Sequence, residues 1–381
     1  MGKTYNINDI ALMAGVAKST VSRYLNGGYV SEKTRLQIEN IIRTTGFSPN
    51  QTAQNLKSKQ RKVVGVVIPR IDSYAVSRTL MGLDDALNAV NMQMLVINCS
   101  QSIDREIEAL DNLSKQKLAG IVWLASAISK RHHKIINQLE SANIPILLLG
   151  QTHPTLPYIA YPDFDGAFSL GQYCKSLGHK EIAYLGVEEK DLAVGLNRWL
   201  GFKKSFDEAD ISLTRYFCSF SLQDAYELTK KIINAQSNYT LLLCATDNIA
   251  LGAYKALSEA KIRIPNDISL TGFGGYDFTQ MLHPSLTTIE LPFYEAGQIA
   301  AFKLRYILLS QDKTIGQTTN KQENDPYLQL KKTFTNSAAA LYLSSAEKEN
   351  ISHGCQLDSH QLCTTFTLKK RQSVDISDKK K

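Results

Sequence analysis

No apolar run in this sequence approaches the roughly 20 residues needed to cross a bilayer, so nothing in it suggests a helical span or a membrane partner. Its opening stretch, MGKTYNINDIALMAG, has no apolar signal-peptide segment, and the chain is therefore expected to stay in the cytoplasm. The six cysteines include no CxxC pair, so neither a disulfide framework nor a zinc ribbon is suggested. Cys99, Cys174, Cys218 and Cys244 lie in or beside apolar segments and Cys355 and Cys363 near the end, so buried free thiols are expected. The phosphate-cradling motifs GxGxxG and GxxxxGK[ST] are missing after the strand-like segments, and HExxH and GxSxG do not occur. The commonest nucleotide-, zinc- and serine-dependent enzymes are thereby disfavoured, and no cofactor is implied. The pair His132-His133 reads as part of a polar helix surface rather than as a metal site.

What remains is an ordinary globular composition, 43% hydrophobic and 21% charged over 381 residues, enough for two to three domains. The formal net charge of +7 is concentrated at one end. Residues 1–62 carry ten Lys/Arg against Asp9, Glu32 and Glu39, a balance of +7, whereas residues 63–381 hold 33 basic and 33 acidic groups. A small basic module on a neutral body is the electrostatic footprint of phosphate-backbone binding.

The basic module has helical periodicity. Ile7, Ile10, Ala11 and Ala14 share one face, with Asn6 placed as an N-cap. Gly15-Val16-Ala17 makes a short turn into a second helix over about 18–26, with Val21 and Leu25 inward and Lys18, Ser19, Ser22 and Arg23 outward. Ser31 caps a third helix, with Ile38, Ile41, Ile42 and Thr45 in register, that stops at Gly46. Two helices about a glycine-containing turn, closed by a third, make the helix-turn-helix plan, whose second helix enters the major groove. Beyond Pro49, Asn50 can cap a short helix over QTAQNLKSKQ with only Ala53 and Leu56 apolar, too little to be stable alone. That stretch is expected to order only in a complex.

From residue 63 the pattern alternates. VVGVVIP (63–69), MQMLVIN (92–98), LAGIVWLA (118–125) and IPILLLG (144–150) read as buried parallel strands with helices between them. The rhythm repeats in EIAYLGV (181–187), YTLLLCA (239–245) and ISLTGFG (268–274), which points to two α/β lobes with a cleft between them. LTTIELP (286–292) is a further strand candidate before a helix at about 294–310. Residues 312–360 are polar and turn-rich and read as a loosely ordered insertion, after which CTTFTLKKRQSV (363–374) is again strand-like, followed by a charged tail.

The segment NINDIALMAGVAKSTVSRYLNGGYVSEKTRLQIENIIRTTGFSPNQTAQNLKSKQ resembles the headpiece and hinge of the lactose/galactose repressor (LacI/GalR) family. VVGVVIP, GHKEIAYLG, RWLGF, TDNIALGAYKAL, IPNDISLTGFGG and PSLTTIE continue the resemblance to about residue 311, and RQSV is similar to the family's C-terminal strand exit. Within the family, the SY after the first strand and the GFGG segment most resemble sucrose-operon repressors. The resemblance implies an all-α headpiece (1–48), a hinge helix and linker (49–62), and a two-lobed, periplasmic-binding-protein-like core of parallel sheets for effector binding and dimerisation (63–311). The insertion (312–360) and the final strand with its tail (361–381) complete the expected division.

On this resemblance Lys18, Ser19 and Arg23 take base-reading positions, where an arginine pairs bidentately with guanine. Asn6, Thr20, Ser31 and Thr34 become phosphate contacts, and Leu56, with Ala53 beside it after Asn50, becomes a wedge in the central minor groove. Tyr74, Asp163, Arg198, Phe220 and Asp247 take effector positions, a set of carboxylates, a guanidinium and flat rings suited to a polyol. For Asp163 and Asp247 helix capping remains an alternative, and for Tyr74 and Phe220 ordinary core packing. Thr246 and Gly274 depart from the family pattern of Asn and Asp, so an acidic clamp is missing there.

The implied function is a homodimeric repressor reading a pseudo-palindromic operator, its affinity set by a small sugar, most simply sucrose or a fructoside. No cluster of basic residues for a phosphate is apparent in the sequence. The alternatives are a sensor of a sugar phosphate or nucleobase, or a catabolite-control regulator with a phosphorylated carrier protein as co-repressor. The last needs a basic residue on the helix after LTTI, where apolar Phe302 stands. An enzyme or an exported solute-binding protein would not explain residues 1–62.

Overall fold

The structure is a computed structural model that describes residues 5–25, 28–47, 63–235, 238–311 and 361–376. It divides into two compact units, Met1–Lys62 and Val63–Lys381. The hinge positions Asn50, Ala53 and Leu56, the segment 312–360 and Cys355 lie outside the described residues.

In the first unit α1 (Ile7–Met13), α2 (Lys18–Leu25) and α3 (Glu32–Thr45) close around Ile10, Ala11, Ala14, Val21 and Ile38. Local chemistry sets their starts. Asn6 Oδ1 accepts the N–H groups of Asn8 (2.8 Å) and Asp9 (3.3 Å), and the Asp9 carboxylate accepts the Asn6 N–H (2.8 Å), a reciprocal capping box. Ser31 caps α3 through the Thr34 N–H. So few buried side chains leave a marginal core, and the caps supply a sizeable part of its stability, about 1 kcal/mol each.

The second unit has two lobes. In the N-lobe β1 (Val63–Ile68), β2 (Gln93–Asn98), β3 (Gly120–Trp123), β4 (Ile146–Leu149), β5 (Tyr158–Ala160) and β11 (Gln361–Cys363) form a parallel sheet in the order β11-β5-β4-β3-β1-β2. In the C-lobe β6 (Glu181–Gly186), β7 (Ser212–Phe217), β8 (Leu241–Cys244) and β9 (Ser269–Thr271) form a second parallel sheet, β7-β6-β8-β9. β10 (Thr288–Glu290) pairs antiparallel with β12 (Thr367–Lys369) beside it.

Helices cover both faces of each sheet, which is why the central strands read as unbroken apolar runs. α4 (Tyr74–Asn88) and α11 (Phe293–Gln311) pack together on the N-lobe. Their approach is so close that a Cβ on Gly297 would lie 2.0 Å from the Thr79 carbonyl oxygen and one on Gly82 1.9 Å from that of Tyr294.

The chain crosses between the lobes three times, at residues 160–163, 290–293 and 363–367. Here the structure departs from the sequence reading. The stretch 363–374 is not one strand: residues 361–363 complete the N-lobe sheet, and 367–369 cross over to pair with β10. β5 and β7 carried no clear sequence signal. The first is three residues long, and the second is an edge strand whose residues are all partly or fully exposed.

Of the cysteines, Cys99, Cys174 and Cys244 are buried, Cys218 is half-buried and Cys363 is exposed, so the expected burial fails for the last. His132 does not lie on a polar surface. It is fully buried, with Nε2 3.2 Å from the Glu106 carboxylate and Nδ1 accepting the Ser129 N–H.

Candidate functional site

On α2 the exposed side chains are Lys18, Ser19 and Arg23, and the helix is anchored from its opposite face by Val21. Thr20 is half-buried at the same end. The cap engages the amide oxygen of Asn6, which leaves its NH₂ as the group able to donate to a phosphate. The Ser31 and Thr34 hydroxyls lie 2.8 Å apart at the start of α3, where exposed N-terminal N–H groups also favour an anion. This unit therefore offers a helix presenting one lysine and one arginine between two capped helix N-termini, each suited to backbone phosphate.

In a parallel α/β sheet the loops at the carboxyl ends of the strands form the ligand crevice. Here they face one another across the two lobes. Pro69 and Arg70 follow β1, Ala125 and Ser126 follow β3, and Gly150 and Gln151 follow β4; from the other lobe come Asp191, Phe220 and Thr246, after β6, β7 and β8. They enclose a chamber of about 130 Å³, into which Asp163, Arg198, Tyr161, Tyr276 and Phe293 also project.

Arg198 and Asp163 are the most constrained pair in the chamber, 5% and 3% exposed. The Arg198 Nε donates to Asp163 Oδ1 (2.8 Å) and Nη1 to the Ala245 carbonyl (2.6 Å), while the guanidinium lies 3.9 Å from the centre of the Phe273 ring. Burial pushes the Asp163 carboxyl up, and the Arg198 charge opposes it. Asp163 begins α7 (Asp163–Ser176) without acting as its cap, so its role is the ion pair.

Phe220 lines the chamber with the Arg70 guanidinium 4.5 Å from its ring centre. Gln151 donates to the Ser126 carbonyl (2.9 Å), which also accepts the Leu192 N–H from the opposite lobe (3.4 Å). Asp191 caps a π-helical turn, Leu192–Asn197, by accepting the Val194 N–H (2.9 Å). Burial pushes its carboxyl up to about 6, against the pull of that hydrogen bond.

Two expected effector residues are not in the chamber. The Tyr74 ring stacks on Tyr276 at 4.2 Å and its hydroxyl accepts the Asp277 N–H (3.2 Å), which turns it toward a separate recess beside Arg78 and Glu290. Asp247 is fully buried and looks away from the chamber, accepting the Tyr276 N–H (2.7 Å) and the Thr288 hydroxyl (2.7 Å). Burial pushes its carboxyl up to about 6 as well. Thr246 is the cap of the helix over Asp247–Glu259. At Gly274 φ is +134° and a Cβ would sit 2.4 Å from the Tyr276 ring, so Tyr276 occupies the space where an acidic clamp was missed.

Sequence reading also missed Arg70, Asp191 and Tyr276. The available signal was position, since Arg70 and Asp191 follow strands at their carboxyl ends. Arg70 places a second guanidinium in the chamber, beside an Arg198 already paired with Asp163. On α11, Lys303 beside Phe302 is only 2% exposed and Arg305 is half-buried, so neither is a free surface charge. Among the described residues no cluster of three or more His, Cys, Asp or Glu could hold a metal ion, and no helix is long and apolar enough to cross a membrane.

Residues 6–50 match the model of bacterial regulatory proteins of the lacI family, and residues 172–324 that of a periplasmic binding protein-like domain. The chain is 36% identical over 306 residues to the sucrose operon repressor of Staphylococcus xylosus, covering 80% of this chain and 94% of that protein. It is 25% identical over 300 residues to catabolite control protein A of Priestia megaterium, covering 77% and 90%. In fold it is similar to the crystal structure of the lac repressor dimer bound to operator and the anti-inducer ONPF. The TM-score is 0.76 at 23% identity, covering 98% of this chain and 100% of that one.

Proposed function

The chain belongs to the LacI family of bacterial regulatory proteins, and from this premise we propose that it is a cytoplasmic, homodimeric repressor released from its operator by a small sugar. It acts by binding and carries out no reaction. Paired headpieces read a pseudo-palindrome through Lys18, Ser19 and Arg23, with Asn6, Thr20, Ser31 and Thr34 on phosphates. Leu56, with Ala53 beside it, wedges into the central minor groove, and Asn50 is a further DNA contact of the hinge. The sugar binds more tightly to the lobe arrangement that does not fit DNA and shifts the population toward it.

The observation that supports a sugar is the lining of the inner chamber. Asp191 and Gln151 offer hydroxyl-matching groups, with Arg198 held by Asp163 behind them, and Phe220 and Tyr161 offer flat apolar faces. Sucrose or a related fructoside is the first candidate, given the 36% identity to a sucrose operon repressor. A sugar phosphate is the second reading, favoured by Arg70, whose charge is not neutralised by a carboxylate as close as the one on Arg198. The test is fluorescence anisotropy on a selected operator duplex titrated with neutral sugars and their phosphates. Release by a neutral sugar at up to millimolar concentration is expected. Release by phosphates alone at micromolar levels would transfer the site to the second reading, and release by neither would remove the sugar altogether.

Asp191 gives the binding a pH dependence. Its carboxyl is protonated below about 6 and ionised above, and only the ionised form accepts hydroxyl hydrogens on both oxygens. Sugar affinity is therefore expected to rise between pH 5 and 7 with a midpoint near 6, and the rise should vanish in Asp191→Asn. A flat profile in the unaltered protein would take Asp191 out of the site.

A further inference from the structure

Asp191 stands in the middle of the loop that leaves β6, and a residue of the neighbouring strand holds that loop shut. Arg215 lies on β7, opposite Tyr184 of β6, and its guanidinium reaches past the carboxyl end of β6. Nη2 donates to the Val187 carbonyl (3.3 Å) and the Gly195 carbonyl (2.8 Å), and Nη1 to the Glu189 carboxylate (2.5 Å). Val187 and Gly195 flank Asp191 symmetrically in the chain, so one guanidinium joins the entrance of the loop to its π-helical turn. The Arg215 side chain is 10% exposed, with its guanidinium 4.8 Å from the centre of the Trp199 ring and 4.5 Å from that of Phe217. Glu189 is 54% exposed, so its ion pair contributes little, and the two carbonyl bonds are what fix the loop.

The closure is tight. A Cβ on Gly195 would lie 2.0 Å from the Glu188 carbonyl oxygen. From inside the loop the Asp191 carbonyl accepts the N–H groups of Gly195 (2.9 Å) and Leu196 (3.1 Å), and its carboxylate accepts that of Val194 (2.9 Å). Turns of the π type are rare and concentrate at functional sites, and this one is tethered from outside by Arg215. We propose that Arg215 is a positioning residue for the effector: it stays outside the chamber, and by stapling the loop it keeps the Asp191 carboxylate at the chamber wall before any ligand arrives. The cost of ordering the loop then falls on folding rather than on binding, which tightens the complex. This rests on the sugar reading above and adds a residue beyond the chamber lining on which the affinity depends.

The experiment is a double-mutant cycle on the full-length protein, read by isothermal titration with sucrose, maltose, fructose and glucose. Arg215→Met keeps an apolar stem against Trp199 and removes every donor. It is expected to weaken the tightest of these sugars about tenfold. The double variant Arg215→Met/Asp191→Asn should bind within about twofold of Asp191→Asn alone, because Arg215 acts through Asp191. In the absence of sugar, amide exchange at Val194 and Gly195 should quicken about tenfold in Arg215→Met. Glu189→Gln should match the unaltered protein in both readouts. A cooperative thermal transition and unchanged operator affinity report that each variant is folded. Unaltered exchange or sugar affinity in Arg215→Met, or losses that add in the double variant, overturns the positioning role and leaves the sugar reading standing. No binding of any of the four sugars by the unaltered protein would overturn both.

Discussion

A fragment beginning at Val63 is expected to pair with itself and bind the same sugar as the whole chain, yet to lose operator affinity by about a thousandfold or more. The reason is the distribution of charge. Residues 1–62 carry the whole surplus of +7, and the remaining 319 residues are neutral. Without the surplus there is no counterion release to draw the protein to a duplex, and without α2 there is nothing to read a base. Two measurements at about 150 mM salt decide the matter: anisotropy on the operator and sedimentation for the dimer. Operator binding by the fragment within tenfold of the whole chain would place the DNA-reading surface in the core.

Replacing Arg198 is expected to have the second-largest effect, and on two readouts. Arg198→Ala leaves the Asp163 carboxylate buried without its cation and the Ala245 carbonyl without its donor. Breaking a buried pair from one side costs about 3–5 kcal/mol, so thermal unfolding of the core should shift sharply downward as sugar binding disappears. The double variant Asp163→Asn/Arg198→Met removes both charges together, and should recover most of the stability while remaining blind to sugar. If the double variant regains the sugar response as well, the pair is only a strut and the ligand is held by others.

How far the sequence could be read depended on whether the signal was local. α1 to α3 were legible because caps and apolar spacing act within one or two turns, and Asn6, Ser31 and Val21 do in the structure what their positions predict. The central strands were legible because burial on both faces makes them continuous apolar runs. β7 was not, because an edge strand with half-exposed residues has no such run. The cleft was partly legible: Asp163, Arg198 and Phe220 line it. Tyr74 and Asp247 do not, because Tyr276, a residue of no special note in sequence, draws the ring of one and the carboxylate of the other to itself. Asp191 was invisible because a capping carboxylate on a loop looks like any other until the lobes bring it to a cavity.

The strand completing the N-lobe sheet, β11, is made of residues 361–363, while its neighbour β5 ends at Ala160. Synthesis thus separates two hydrogen-bonded neighbours by about 200 residues, or on the order of 10–40 s at roughly 5–20 residues per second. The C-lobe waits as well, for β12 to pair with β10 and for Ser373, whose hydroxyl bonds to Leu270 and Thr287 across 103 and 86 residues. The three headpiece helices, in contrast, end at Thr45, and the last side chain packed on their core is Phe47. A nascent chain therefore carries a complete headpiece long before it has a complete sensor. A chain interrupted between the headpiece and residue 361 keeps the first and never acquires the second.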